Sequence, residues 1–336
     1  MQAVIHFFSG TGNTARAVGI VAARLESAGW GVARQAIVGG AEPPAGIPDL
    51  TVAAFPIWAW APPHFVLEYV RRLPNGQGAK AAVLATCGGF GAQGVGEMER
   101  ALQRRGYRIV ASAEAVYPDN FLLAVNSPTG TDSESALAEG DKAVNLFINK
   151  FISGQPEMIR CGWGHVLWSW PIARLFRACG RRFLGKFFIA DDRCTACGQC
   201  AATCPVRAIR MDGAPARPRW GTNCAGCYRC IQLCPAQAIQ VSIARLTIHL
   251  GVNLALTVGW VWGMAEWRER FPLAVVAATA AFAALTLLQL TALDGLLGAL
   301  ERRPALRRFF AASYTKGFGR YRAPGFRPEE CGVLSR

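Results

Sequence analysis

The stretch AVIHFFSGTGNTARAVGIVAARLES, residues 3–27, decides how the first half of this chain is read. Its start, residues 3–8, is a short apolar run suited to a strand buried on both faces. Its end, residues 15–27, carries a helical pattern. Between them SGTGNT makes a strand-to-helix turn. Such a turn aims several backbone N–H groups and hydroxyls at one point, and the helix N-terminus behind it adds positive partial charge. The turn lacks the lysine of a P-loop and the G-x-G-x-x-G of a dinucleotide fold, so a ligand with one terminal phosphate fits best. His6, inside the strand pattern, reads as structural.

Outward from this stretch, strands are expected over residues 32–36, 51–56, 81–86 and 109–116. Helices are expected over 65–72, 97–105 and 133–152. Strand–helix alternation with doubly buried runs predicts an α/β doubly wound parallel sheet over residues 1–155, in the order 2-1-3-4-5. A basic, aromatic linker follows over 156–189. It reads either as a membrane-surface segment or as a helix that packs the two halves together.

Residues 190–241 hold eight of the twelve cysteines. Cys194, Cys197, Cys200 and Cys204 follow C-x2-C-x2-C-x3-C-P, and Cys224, Cys227, Cys230 and Cys234 repeat it. This is the bacterial spacing for two [4Fe–4S] clusters, in which the fourth cysteine of each run serves the other cluster. One cluster is therefore assigned Cys194, Cys197, Cys200 and Cys234, the other Cys224, Cys227, Cys230 and Cys204. Zinc, the rival, prefers two separated pairs. The endings CPVRAI and CPAQAI mark an internal duplication in a small α+β ferredoxin domain. Arg193, Arg207, Arg210, Arg219 and Arg229 nearby favour the reduced, more negative state. Cys161, Cys179 and Cys331 have no ligand-like spacing.

SGTGNT after a first strand resembles the phosphate loop of flavodoxins, which bind FMN. The resemblance implies that Ser9, Gly10, Thr11, Gly12, Asn13 and Thr14 hold the phosphate. It also implies that the loops PIWAWAPP (56–63) and TCGGFGAQG (86–94) flank the ring, offering Trp58, Trp60, Cys87, Gly88, Gly89 and Phe90. Aromatic stacking on that ring is physically sensible. Cys87 reads as a packed small residue, with a redox role as the alternative. A flavin contact is one reading of His64. The chain as a whole resembles the family that fuses a short flavodoxin-like domain to a two-cluster ferredoxin. YPDNF (117–121) and GRYRAP (319–324) resemble that family's P-x-N-[FY] and R-Y-x-x-P segments. The rival for the first domain is a flavodoxin-like shell that has lost FMN.

One departure from that family stands out. Two long apolar runs, residues 247–265 and 272–292, separate the ferredoxin from R-Y-x-x-P. A span needs about 20 mostly apolar residues. The runs predict a transmembrane hairpin over 246–293, with Trp260, Trp262 and Trp267 as an interfacial belt; a buried soluble hairpin is the rival. His249 and Asn253 lie on one helix face, where a helix–helix hydrogen bond is expected and a quinone or haem contact is the alternative. Residues 294–336 form a basic tail carrying Arg302, Arg303, Arg307, Arg308, Lys316, Arg320 and Arg322. The connector carries only Arg268 and Arg270. Positive-inside reasoning then keeps both termini and the redox domains in the cytoplasm, at the inner membrane.

Charge agrees with this division. Apolar residues make up 52% of the 336 and the net charge is +14. Mean hydropathy is +0.21. Residues 1–155 hold 12 basic and 12 acidic side chains, so the whole surplus lies in the second half. Beside apolar spans, that surplus points to lipid headgroups rather than nucleic acid. MQAVIHFF has no basic n-region, so no signal peptide is expected. With no nucleophile triad, acid–base pair or nicotinamide fingerprint, two readings follow. The first is a membrane-tethered electron-transfer protein relaying electrons between FMN, two clusters and a redox partner protein. The second is a flavin reductase of a small molecule fed by its own ferredoxin, which an open pocket lined by Trp58, Trp60, Phe90 and Tyr117 would favour.

Overall fold

The computed structural model describes residues 1–38, 40–128, 130–267 and 272–328. Arg268, Arg270 and Cys331 lie outside the described residues.

The first half alternates β1 (Gln2–Phe7), α1 (Asn13–Ser27), β2 (Gly31–Ala36), β3 (Leu50–Pro56), α2 (His64–Arg71), β4 (Lys80–Cys87), α3 (Gly94–Gln103), β5 (Arg108–Val116) and α4 (Thr131–Ile152). The five strands are parallel in the order β2-β1-β3-β4-β5. This is the expected flavodoxin-like order. β3 and β4 are buried on both faces, as their unbroken apolar runs require, whereas β2 is a half-exposed edge. Two cores result. Val18, Val21 and Leu25 of α1 meet Val144 and Ile148 of α4 over one face. Val66, Val70, Met98 and Leu102 of α2 and α3 cover the other. His6 is structural, as read: burial lowers its pKa to about 4, and its Nδ1 lies 2.9 Å from the Tyr69 hydroxyl.

The linker folds as α5 (Trp163–Leu175), a π-helical turn (Phe176–Gly180) and α6 (Arg181–Leu184). It packs the halves together: Trp168 stands edge-on to Trp60 at 4.8 Å and Arg177 pairs with Glu97 at 2.6 Å, while Arg181 donates to Cys224 O at 3.3 Å. Trp163, Leu167, Trp170, Ile172 and Leu175 remain exposed on α5.

The cysteine domain comprises β6 (Phe188–Ala190), α7 (Gln199–Ala202), β7 (Ile209–Asp212), β8 (Arg217–Trp220), α8 (Arg229–Gln232) and β9 (Ile239–Val241). β6 pairs antiparallel with β9, and β7 with β8. Then come α9 (Ile243–Trp267), α10 (Pro272–Leu288), a π-helical turn (Gln289–Leu293), α11 (Asp294–Leu300) and α12 (Pro304–Phe310).

Two helices are long and apolar enough to cross a membrane, Ile243–Glu266 and Val275–Leu300, with mean hydropathy 1.3 and 1.9. Only 6% and 11% of the two runs is buried, unlike the core helices of a soluble hairpin. Leu250, Leu254, Val258 and Val261 form an exposed stripe one turn apart along α9. The inner faces meet through Trp260 and Phe282, 5.7 Å apart. Gln289 Nε2 donates to the His249 carbonyl at 2.8 Å and lies 3.3 Å from its Nδ1; Asn253 donates to the same carbonyl at 2.9 Å. The helix–helix hydrogen bond expected of His249 is thus present.

The hairpin is riveted to the ferredoxin domain by a buried ion network. Lys186 pairs with Asp294 at 2.7 Å, and Arg245 reaches both Asp294 and Glu301. Removing one member of such a network strands the other charge, at a cost of about 3 kcal/mol or more. Arg245→Met is therefore expected to lower by several degrees the temperature at which the purified protein loses its iron–sulfur absorbance. An unchanged midpoint would show the network to be dispensable.

Candidate functional site

A cavity of ≈ 520 Å³ opens at the C-terminal ends of β1, β3 and β4. Ser9, Gly10, Thr11, Asn13, Thr14, Trp58, Trp60, Cys87, Gly88, Gly89 and Phe90 all line it. The three loops expected to converge do so. Gly12, the N-cap of α1, stands just behind the lining, with φ 113° and no side-chain cap bond. The first N–H groups of a helix lack carbonyl partners within it, and the first-turn residues Asn13 and Thr14 line the cavity.

The loop's side chains are already engaged with protein. Gly12 N–H donates to Ser9 Oγ at 3.1 Å, and Asn120 Nδ2 to Thr11 Oγ1 at 2.5 Å. Both hydroxyls act as acceptors in these bonds, so each keeps its own proton to donate. The Thr14 and Thr86 hydroxyls bond each other at 2.8 Å. Asn13 is a brace: its Nδ2 donates to Pro118 O at 2.9 Å and its Oδ1 accepts from Tyr321 Oη at 2.5 Å. No Lys or Arg lines the cavity among the described residues. A phosphate here would rest on N–H groups, hydroxyls and the helix dipole.

The loops after β3 and β4 are held by two devices. Ala59 and Trp60 both have positive φ, at 45° and 60°, in a tight turn closed by Trp58 N–H to Ala61 O at 2.9 Å. Trp58 packs edge-on to Phe8 while Trp60 meets the linker. Glu114, which sequence reasoning passed over, accepts from Gly91 N–H at 2.9 Å and lies 3.4 Å from Cys87 Sγ.

Glu114 is an acidic neighbour of Cys87 but no activator. Burial, and then the Glu114 charge, push the Cys87 thiol up to about 12. At pH 8 its thiolate fraction is about 10⁻⁴. Anaerobic iodoacetamide labelling is expected to modify the exposed Cys179 at least ~100-fold faster than Cys87. Comparable labelling would overturn the packed reading.

Two expected neighbours lie elsewhere. Tyr117 does not line the cavity. Val116 is exposed at the strand end, so period-two alternation turns Tyr117 inward, where its Oη donates to Asp141 Oδ1 at 2.9 Å. His64 is also absent from the lining. It stacks edge-on to Phe65 and is held near neutral down to about pH 4 by burial and the nearby Arg181, Arg182 and Arg177. Pro118, Asp119, Asn120 and Phe121 of the YPDNF segment take the place expected of Tyr117.

The cysteine runs repeat in backbone as well as sequence. Ala196, Gly198 and Arg207 have positive φ, and so do Gly226, Tyr228 and Gln237 at the equivalent positions. Ala208 N–H donates to Cys204 Sγ at 3.2 Å, and Ala238 N–H to Cys234 Sγ at 3.4 Å. Cys204, Cys224, Cys227 and Cys230 together line one small internal cavity. The Cys200 thiol is pushed up to about 12 by burial and by the charges of Cys234, Cys194 and Cys197. The chain thus brings each run's fourth cysteine to the other run's first three. Among the described residues no three such side chains converge on a single-ion site. A [4Fe–4S] cube spreads its thiolates around itself, whereas zinc would draw them to about 2.3 Å from one point.

Residues 187–241 match the model of the 4Fe-4S dicluster domain. The chain is a flavodoxin-like sheet fused to an iron–sulfur ferredoxin domain.

Solved structures similar to the sheet half of the fusion include a flavodoxin of Streptococcus pneumoniae TIGR4, 18% identical over 44% of this chain and 99% of that one, with a TM-score of 0.29. A short-chain flavodoxin associated with a non-canonical PDU bacterial microcompartment is 15% identical over 46% and 99%, at 0.33. Two-electron reduced flavodoxin of Megasphaera elsdenii is 17% identical over 42% and 98%, at 0.29. No curated protein matches the chain. The fold of the first half rests on its own strand order.

The two halves of the fusion meet at the cavity. Gly226, Cys227 and Tyr228 of the second cysteine run form part of its wall, and a Cβ on Gly10 would stand 3.6 Å from the Cys227 carbonyl. On the other side of that run Gly185 is pressed so close that a Cβ would stand 2.9 Å from Cys224 Cβ. Only glycine tolerates such an approach. Gln232, also unflagged by sequence, donates to Asn120 O at 3.2 Å and accepts from Tyr321 N–H at 2.8 Å. Ala323 N–H donates to Thr11 O at 2.9 Å. The R-Y-x-x-P segment therefore clamps the loop at residues 9–14 and the cysteine domain together.

Proposed function

We propose that the fusion is a membrane-tethered electron-transfer protein carrying FMN and two [4Fe–4S] clusters. The observation that carries this is the shared wall: residues 226–228 bound the cavity and also belong to a cysteine run. A cavity of ≈ 520 Å³ with aromatic walls lies within the range of cofactor sites. FMN, when bound, exchanges two electrons in single steps, which suits clusters that carry one each. Ser9, Thr11 and the first turn of α1 would bind the phosphate. Trp58, Trp60 and Phe90 would flank the ring, and Phe176 and Tyr228 would exclude water on the ferredoxin side. The cluster of Cys204, Cys224, Cys227 and Cys230 then faces the flavin. The cluster of Cys194, Cys197, Cys200 and Cys234 leads outward to a partner redox protein.

The exposed hairpin would hold the unit at the inner membrane, with both termini and the basic flank in the cytoplasm. The apolar face of α5 would lie in the interface beside it. Phe176 and Tyr228, which join the lining from the linker and the second cysteine run, support relay into the ferredoxin side over reduction of a free small molecule. Anaerobic purification tests the cofactors. One releasable FMN for every two clusters is expected, and iron–sulfur absorption without FMN would refute the flavin assignment. Detergent, not high salt, should release the protein from washed membranes; release by salt alone would refute the spans.

A further inference from the structure

A second cavity, of ≈ 690 Å³, lies between the β7–β8 hairpin and the base of the apolar helices. Lys186, Arg210, Arg219, Arg245 and Arg302 line it, together with Asp212 and Asp294. Glu301 stands behind, 2.6 Å from Arg219 and 3.0 Å from Arg245. Five cations thus face three carboxylates. The buried members neutralise one another: Lys186 and Arg245 share Asp294, while Arg219 and Arg245 share Glu301. Two cations are left at the mouth. Arg210 is exposed and has no carboxylate partner among the described residues. Arg302 holds Asp212 at 3.2 Å in an exposed pair, which exchanges at little cost.

The mouth also borders Leu290 and Thr291, at the end of the second apolar run. Basic pockets in this position, where apolar helices meet the cytoplasmic face, suit phosphate head groups. Arginine forks match phosphate oxygens two at a time. The Thr222 hydroxyl on the lining offers a further donor; that of Thr291 already donates to Leu287 O at 2.7 Å. From this geometry we infer that the cavity binds the phosphate of an organic phosphate ester, at the Arg210–Arg302 mouth. The ester is either an anionic phospholipid head group or a soluble phosphate ester. The lipid source rests on the two-span reading, and the soluble source does not.

The test is native mass spectrometry of the full-length, delipidated holoprotein in neutral detergent. It is titrated separately with phosphatidylglycerol, phosphatidylcholine and glycerol 3-phosphate. Wild-type protein should retain phosphatidylglycerol or glycerol 3-phosphate at least ~10-fold more tightly than phosphatidylcholine. The doubly substituted Arg210→Gln, Arg302→Gln protein should lose that preference while keeping its iron–sulfur absorption. Selective binding of phosphatidylglycerol assigns the lipid source, and binding of glycerol 3-phosphate without it assigns the soluble one. If neither anion outcompetes phosphatidylcholine, or the double variant binds as wild type does, the inference is wrong.

Discussion

Gly12→Ala is expected to release the flavin while leaving the iron–sulfur chromophore in place. Gly12 sits at φ 113°, where an L side chain is strained by about 1–3 kcal/mol. Space is also lacking. An added Cβ would stand 2.6 Å from Ala323 Cβ and 2.7 Å from Phe326 Cβ, both on the clamping C-terminal segment. Either the segment or the turn must shift, and in both cases the first N–H groups of α1 lose their aim. Loss of even ~3 kcal/mol would weaken FMN binding at least ~100-fold. The atoms that a Cβ on Gly12 would meet belong to Ala323 and Phe326 and to no cysteine, so the iron–sulfur absorbance should persist. Anaerobic gel filtration with flavin fluorescence of the flow-through measures the effect. Gly19→Ala is the control, because nothing stands within 4 Å of its Cβ and alanine favours a helix. Equal flavin retention by Gly12→Ala and wild type would mean that the turn does not hold the phosphate.

Cys227→Ala and Cys197→Ala should have opposite consequences although each removes one thiolate. Cys227 lies in the cavity wall, whereas Cys197 is exposed at the far run. Each substitution should cost roughly half of the iron. Cys227→Ala should also cut the flavin off, slowing electron transfer from reduced flavin to the remaining cluster by orders of magnitude. Cys197→Ala should leave the first transfer as fast as in wild type. Stopped-flow reduction, followed separately in the flavin and iron–sulfur bands, distinguishes them. Similar rates in the two variants would mean that the wall at residues 226–228 is not the route.

How much of this could be read from residues alone follows from how local each signal is. The turn at residues 9–14 and the cysteine runs have their motifs written in consecutive positions; the turn joins β1 to α1 and lines the cavity, and the runs fall within residues 187–241. The sheet order followed because doubly buried runs leave few topologies. Glu114, Gln232, Tyr321 and Gly185 act through contacts with residues distant in sequence. A glutamate at a strand end, or a glycine in a basic linker, carries no spacing signal. Tyr117 was misplaced for a related reason. Its neighbourhood was legible, but its side depended on whether strand alternation continued past Val116, which the packing against Gly140 decides. For the linker the sequence left two alternatives, surface segment or packing helix; Trp168 meets Trp60 while staying partly exposed, and Trp163, Leu167 and Trp170 are exposed beside it.

The central claim is that flavin and clusters form one intramolecular path through residues 226–228. Its most direct test is flash photoreduction of the flavin in anaerobic, full-length wild-type protein at several protein concentrations. Bleaching of the iron–sulfur band should follow reduction of the flavin at a rate independent of concentration. A rate proportional to concentration, or a reduced flavin that persists beside oxidised clusters, would contradict the account.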